Sequence, residues 1–318
     1  MVQHPQLKQA VALSESGRND EAVTIIRQLA STGEPEALGL LAELHWRGGM
    51  VEQDLNRART LYQYAGSLGN ASAGIATTNL LASGVAGPRD WPQAIERLRA
   101  ESQVIAGRRR TLELIEAMDL DGNGDPVSVP QGKLLSENPQ VIHFERLLTA
   151  SECAYLRNAG GEKFEPSMVY DQDRKLVRDT IRTSDGAAIH WLVEDPAIVA
   201  LNRRIAAISG NAYEDGEPLA LLRYSPGQEY RPHFDYVEGG NRRLQTALCY
   251  LNEDYDGGET EFVRTGLKVK GGMGDVILFR NDSVDGGPNP MSEHAGLPVV
   301  SGTKFLATRW IRESRWIP

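Results

Sequence analysis

A shift of 36 residues lays the first third of this 318-residue chain over itself. Gly33-Glu34-Pro35-Glu36-Ala37 meets Gly69-Asn70-Ala71-Ser72-Ala73, Asp54 meets Asp90, and Ala22, Ala58 and Ala94 share one register. Between these marks apolar residues recur at helical spacing, as in Leu38, Leu41 and Ala42 or Leu55, Ala58, Leu61 and Tyr62. Asp54 and Asp90 suit N-caps, while Gly48-Gly49 and Gly69 suit the ends of the preceding helices. A repeat holding two helices cannot bury its apolar stripe alone. It predicts an α-solenoid in which each unit covers the next, with small alanines where helices approach closely.

With the turns Trp46-Arg47-Gly48-Gly49 and Ser83-Gly84-Val85, the pattern resembles the Sel-one-like branch of tetratricopeptide repeats over about residues 20–105. The resemblance implies either peptide or protein partners or a supporting role for the rest of the chain. Arg108–Arg110 reads as a basic cluster at a helix end, where cations complement the dipole.

Residues 119–135 open with DLDGNGDPVSVPQG, rich in Gly, Asp and Pro, and read as a linker. Asp119, Asp121, Asn123 and Gly124 imitate the start of an EF-hand loop. Pro130 stands where a bidentate glutamate is needed, so the stretch reads as a solvated turn. The expected division is therefore a helical repeat domain over 1–118, a linker over 119–135 and a second domain over 136–318.

In that second domain Thr149 and Glu152 form a capping box. Asp195, Pro196 and Gly210 bracket another helix. Strand-like runs then follow at 219–224, 245–251, 260–263, 275–279 and 304–311, separated by Gly, Asn, Asp and Pro. The whole chain is thus expected to be α+β and multidomain, with an all-β barrel or sandwich after the helices.

Two residues apart on a strand, His233 and Asp235 point the same way. His294 supplies a candidate third ligand. Two histidines and one carboxylate on one face leave three octahedral positions open, which suits a non-haem Fe(II) centre that admits a chelating 2-oxo acid and O2. Alternation along the last strand puts Lys304, Leu306, Thr308 and Trp310 on one face. An inward lysine is costly without a carboxylate, and the distal carboxylate of 2-oxoglutarate would supply one. Thr246, Leu248 and Tyr250 share a face, so the Tyr250 hydroxyl is a second candidate for that carboxylate; Cys249 faces away and packs. Gly271-Gly-Met-Gly274 precedes a strand with no helix after it, so it reads as a hairpin turn and not a nucleotide loop.

The second half resembles the prolyl 4-hydroxylase branch of the 2-oxoglutarate/Fe(II) oxygenases. The matching blocks are Ile181–Gly186, Leu221–Asp235, Arg243–Asn252, Gly257–Phe262, Gly274–Phe279, His294–Val299, Gly302–Lys304 and Trp310. They run in order through about residues 140–314. The resemblance implies a double-stranded β-helix (jelly roll), with His233, Asp235 and His294 as iron ligands. It also implies Lys304 as the salt-bridge partner of 2-oxoglutarate, and Tyr224, Thr246 and Tyr250 around that cosubstrate. Tyr230, Arg243 and Trp310 are then expected beside the target residue. Fe(II), 2-oxoglutarate and O2 are the expected cofactor and cosubstrates, with ascorbate as an accessory reductant.

The expected reaction is hydroxylation of a prolyl residue in a peptide or protein, with succinate and CO2 released. A free amino acid or small natural product is the alternative substrate, and a repeat-based interaction protein with a vestigial or oxygen-sensing oxygenase half is the alternative class. The charged run within 169–179 departs from a collagen-directed pattern. Net charge is −9 and pI about 5.3, which disfavours nucleic acid and anionic membranes as partners. No run approaches the ~20 apolar residues of a membrane helix. The N-terminus shows no leader, and two cysteines in no paired spacing suit a cytoplasmic protein.

Overall fold

The helix starts repeat as the sequence does. Asp54 accepts from the Arg57 amide at 2.9 Å, and Asp90 from the Gln93 amide at 3.0 Å. Glu34 and Asn70, also 36 residues apart, cap through Ala37 and Ala73 in the same way. These caps begin four of seven helices among the described residues up to Glu116. They are α1 (Pro5–Glu15), α2 (Asn19–Ser31), α3 (Pro35–Arg47), α4 (Leu55–Ser67), α5 (Ala71–Ser83), α6 (Trp91–Ser102) and α7 (Ala106–Glu116). The register alanines Ala22, Ala58 and Ala94 are fully buried, so consecutive helices pack closely and the apolar stripe is continuous.

This computed structural model describes residues 4–170, 176–178 and 180–317. Of the charged run within 169–179, residues 171–175 and 179 lie outside the described residues. Two units divide the chain. The first takes the residues up to Glu116 together with Trp191–Val199, and the second takes Ala117–His190 and Ala200–Ile317. Within the first, the Asn79 side chain donates to the Leu192 carbonyl at 2.9 Å. Arg108 does stand at a helix end, but it is the N-terminal end of α7, where a cation opposes the dipole. It is buried there because Glu101, at 2.6 Å, and Asn79, at 3.1 Å, accept from its guanidinium. For Arg108 the dipole reading is therefore replaced by a buried ion pair, while Arg109 and Arg110 are exposed.

The stretch after Glu116 is a closed turn. Asp121 Oδ1 accepts from the amides of Asn123 and Asp125. The second unit then forms β1 (Lys133–Glu137), β2 (Gln140–Phe144), α8 (Ala150–Gly160), β3 (Glu165–Pro166), β4 (Met168–Tyr170), β5 (Leu176–Arg178) and β6 (Asp185–Ile189). After α9 (Pro196–Ser209) come β7 (Leu219–Tyr224), β8 (Tyr230–His233), β9 (Arg243–Tyr250), β10 (Tyr255–Gly257), β11 (Thr260–Phe262) and β12 (Leu267–Val269). The last strands are β13 (Val276–Arg280), β14 (His294–Gly296), β15 (Val299–Gly302) and β16 (Lys304–Arg312). The Thr149–Glu152 capping box opens α8, and Asp195 caps α9 through the Ala197 and Ile198 amides.

An eight-stranded sheet runs β1-β2-β13-β9-β16-β7-β6-β3, and a four-stranded sheet runs β12-β11-β14-β8. Their pairings are antiparallel, and residues from both sheets share one core. Leu222, Leu248, Ile277 and Leu306 come from the larger sheet, and Phe262 and Val269 from the smaller. The chain is thus an α+β multidomain protein whose second part is a jelly roll. Glycines permit two close approaches that shape it. A Cβ on Gly271 would lie 2.4 Å from the Tyr250 ring, and one on Gly274, at φ +90°, 2.0 Å from the Leu148 carbonyl. The Gly271–Gly274 segment is therefore a tight turn fitted against Tyr250, but it is not the expected hairpin, because it links β12 of the smaller sheet to β13 of the larger.

Candidate active site

The four-stranded sheet brings His233, Asp235 and His294 together. β8 and β14 pair antiparallel with His233 opposite His294, and Asp235 follows β8 at the same parity as His233. Among the described residues, this is the group of metal-ligating side chains whose donor atoms all fall within 4.8 Å of one another. Each imidazole is fixed in one tautomer. Nδ1 of His233 lies 2.8 Å from the Arg231 carbonyl, and Nδ1 of His294 lies 2.9 Å from that of Ser292. A carbonyl only accepts, so both Nδ1 atoms carry hydrogen and both Nε2 lone pairs are free. Those Nε2 atoms face the Asp235 carboxylate at 3.8 and 3.6 Å. Tyr230 stacks on His233 with centroids 3.4 Å apart, and Phe279 meets His294 edge-on at 4.7 Å.

The electrostatics suit a cation. Burial, then the neighbouring His294, pushes the His233 imidazolium down to about 4, so the ring is neutral near pH 7. Burial would raise the Asp235 carboxyl, but His294, His233 and the Thr246 hydrogen bond together hold it below its ordinary value. Two neutral nitrogens and one carboxylate, each oriented by a further hydrogen bond, are a donor set that fits Fe(II).

The cavity continues from this triad along the inner face of the larger sheet. Lys304, Leu306, Thr308 and Trp310 of β16 all line it, as alternation predicts, with Leu222 and Tyr224 of β7 and Leu248 of β9. Tyr230, Thr260 and Arg182 line it from other elements. Lys304 is 2 % exposed, and its Nζ donates to the Gly258 carbonyl at 2.6 Å. No carboxylate lies within ion-pair distance of it among the described residues. Burial depresses it to about 7, with Glu259 opposing the shift and Lys270 adding to it. The Thr308 hydroxyl and the Trp310 indole nitrogen are also buried without a hydrogen-bond partner among the described residues. A buried cation and unspent hydrogen-bonding atoms in a cavity that ends at the triad fit a dicarboxylate such as 2-oxoglutarate.

Three residues expected at this site stand one step back from the cavity. The Thr246 hydroxyl donates to Asp235 at 2.8 Å. The Tyr250 hydroxyl meets Thr260 Oγ1 at 2.9 Å, placing it behind a residue that lines the cavity. Arg243 lies 4.2 Å over the Trp310 ring.

Sequence reasoning passed over Glu217, Arg182 and Thr260. Glu217, 8 % exposed, takes two hydrogen bonds from Arg243 at 2.6 and 2.9 Å and pairs with Arg312 at 2.6 Å. Arg182 sits 5.4 Å from the Tyr230 ring centre. The available signals were Arg182 and Thr260 inside the quoted blocks; Glu217 had none beyond its place ahead of β7. Glu217→Ala would strand two arginines in a mostly buried setting. It is expected to lower stability by about 3 kcal/mol or more, as for a broken buried pair, measured by urea denaturation.

Residues 219–312 match the family described as the 2OG-Fe(II) oxygenase superfamily. Prolyl 4-hydroxylase 1 of Arabidopsis thaliana is 35% identical over 202 residues, covering 57% of this chain and 71% of the relative. Prolyl 4-hydroxylase 2 of the same plant is 33% identical, covering 56% and 69%. A viral collagen prolyl hydroxylase from Paramecium bursaria Chlorella virus-1, solved with 2-oxoglutarate, is 27% identical with a TM-score of 0.43, covering 55% of this chain and 96% of its own. The chain belongs to the prolyl 4-hydroxylase-like 2-oxoglutarate/Fe(II) dioxygenases. Its cofactor is Fe(II), and 2-oxoglutarate and O2 are its cosubstrates.

Proposed function

We propose that this dioxygenase hydroxylates a prolyl residue in a peptide or protein. The observation that carries the reading is a single cavity lined by the His233, Asp235 and His294 triad and by the buried Lys304. The names of the Arabidopsis relatives support the prolyl target.

In this reading His233 Nε2, Asp235 and His294 Nε2 hold the iron. Lys304 meets the distal carboxylate of 2-oxoglutarate, Tyr224 and Thr260 flank it, and Tyr250 fixes the Thr260 hydroxyl. Bound Fe(II) supplies oxidation of a C–H bond coupled to conversion of 2-oxoglutarate and O2 to succinate and CO2. The protein keeps that chemistry dry. Leu222, Leu248 and Leu306 exclude water along the cavity, and Thr246 keeps Asp235 ionised and oriented. Tyr230, Trp310 and, through Trp310, Arg243 form the wall beside the target. Ile181 and Phe234, 46 % and 44 % exposed, offer apolar contact to a chain crossing the mouth.

The helical repeats are proposed to contribute to partner binding, and the domain limits 1–118, 119–135 and 136–318 remain the working division. No helix among the described residues is long and apolar enough to cross a membrane. Cys153 and Cys249 are free and buried, which suits the reducing cytoplasm. The test is incubation of the whole protein with Fe(II), 2-oxoglutarate, ascorbate and proline-containing peptides. A mass gain of one oxygen on proline, matched by succinate, is the expected result. Succinate formation stimulated by free amino acids and by no peptide would overturn the prolyl-peptide reading.

A further inference from the structure

A buried asparagine stands behind the candidate iron ligands, on no part of the cavity wall. Asn281 follows β13 and is fully buried. Its Nδ2 donates to Thr246 Oγ1 at 3.0 Å, and that hydroxyl donates to Asp235 Oδ2 at 2.8 Å. The direction of both bonds is chemically forced. An ionised Asp235 can only accept, so the Thr246 proton must point to it. The Thr246 oxygen must then accept from Asn281, which fixes the asparagine's amide orientation as well. With Oδ2 engaged, Asp235 has Oδ1 left for a metal.

The backbone of Asn281 extends the arrangement to a second ligand. Its carbonyl accepts from the Asn289 amide at 3.0 Å, the Asn289 carbonyl accepts from the Ser292 hydroxyl at 2.7 Å, and the Ser292 carbonyl accepts from His294 Nδ1 at 2.9 Å. Its amide is tied to the Leu244 carbonyl at 2.8 Å, next to the start of β9. Meanwhile Asn281 Oδ1 is buried with no hydrogen-bond partner among the described residues. A side chain kept only for packing would not carry an unspent buried acceptor there.

We propose that Asn281 is a positioning residue for the metal centre. By donating to Thr246 it locks the hydroxyl proton onto Asp235, and so holds the carboxylate in the orientation that binds the cation. This rests on the reading of His233, Asp235 and His294 as the metal ligands. Asn281 itself touches neither metal nor substrate.

Binding of Co(II) to the metal-free whole protein, followed by its visible absorption, tests the inference without turnover. Thr246→Val and Asn281→Ala are each expected to weaken binding about 10- to 100-fold, the range for groups that orient metal ligands. Thr246→Ser, which keeps the hydroxyl, is expected to bind like the wild type. Because Asn281 acts through Thr246, the double variant should lose no more affinity than Thr246→Val alone. Circular-dichroism melts without metal establish that each variant is folded, and Asn281→Leu replaces the alanine variant if that one is not. Wild-type affinity in a folded Asn281 variant overturns the inference, as do losses that add in full. If neither Asn281 variant folds, wild-type affinity in Thr246→Val overturns it. Absence of Co(II) binding by the wild-type protein would instead overturn the ligand assignment.

Discussion

Asp235→Ala is expected to abolish measurable succinate production and to weaken metal binding by more than about 100-fold, beyond the range typical of changes behind the ligands. The magnitude follows from the donor set. His233 and His294 offer neutral nitrogens, so Asp235 supplies the only negative charge within the triad, and it does so at 5 % exposure. Without it a divalent cation must leave water for two imidazoles and an apolar wall. Asp235→Asn separates charge from shape, because the amide keeps a partner for Thr246. It too should lose metal affinity, read by Co(II) titration and by succinate release. Unchanged turnover in either variant would sink the ligand assignment.

Lys304→Met is expected to move two quantities in opposite directions. Affinity for 2-oxoglutarate should fall by about 100-fold or more, since a buried charge-assisted pair is lost. The protein without cosubstrate should become more stable at neutral pH. Burial depresses Lys304 to about 7, so the unfolded chain binds more protons than the folded one between that value and the ordinary lysine value of 10.5. Wild-type stability therefore rises with pH across that window, and the methionine variant should lack the rise. Glu259, Lys270, Tyr224 and Tyr250 are the titratable groups around Lys304, and all of them remain in the variant. The same protonation governs binding. Above about pH 7 the free enzyme must take up a proton to receive the dicarboxylate, so its dissociation constant should climb up to about tenfold per pH unit. Melts with and without 2-oxoglutarate from pH 6.5 to 10 check both effects; a flat pH dependence of binding would contradict the account.

Parity carried much of the site into view before any coordinates. The inward row of Lys304, Leu306, Thr308 and Trp310 needs only a two-residue period, and all four line the cavity. The helix caps at Asp54, Asp90, Thr149 and Asp195 were equally legible, because a cap is a local bond. Parity could not say what a hydroxyl binds. Thr246 and Tyr250 share the expected face, yet their hydroxyls find Asp235 and Thr260, partners set by the facing of two sheets. Arg108 misled for a related reason. Its charge suggested the C-terminal end of a helix, where a cation complements the dipole, whereas Asn79, 29 residues away, and Glu101 hold it in the first turn of α7. Glu217 and Asn281 were invisible because each acts on residues 26 to 95 positions distant.

The first unit is discontinuous in sequence, since it reaches past Glu116 to include Trp191–Val199. During synthesis, a nascent chain that has emerged only as far as α7 lacks the Leu192 carbonyl that Asn79 requires. Roughly 75 further residues must be translated before that bond can close, several seconds at ordinary elongation rates. The Asn79 contact therefore closes only when residues well past α7 have left the ribosome, and a fragment cut at residue 116 would keep that bond permanently open.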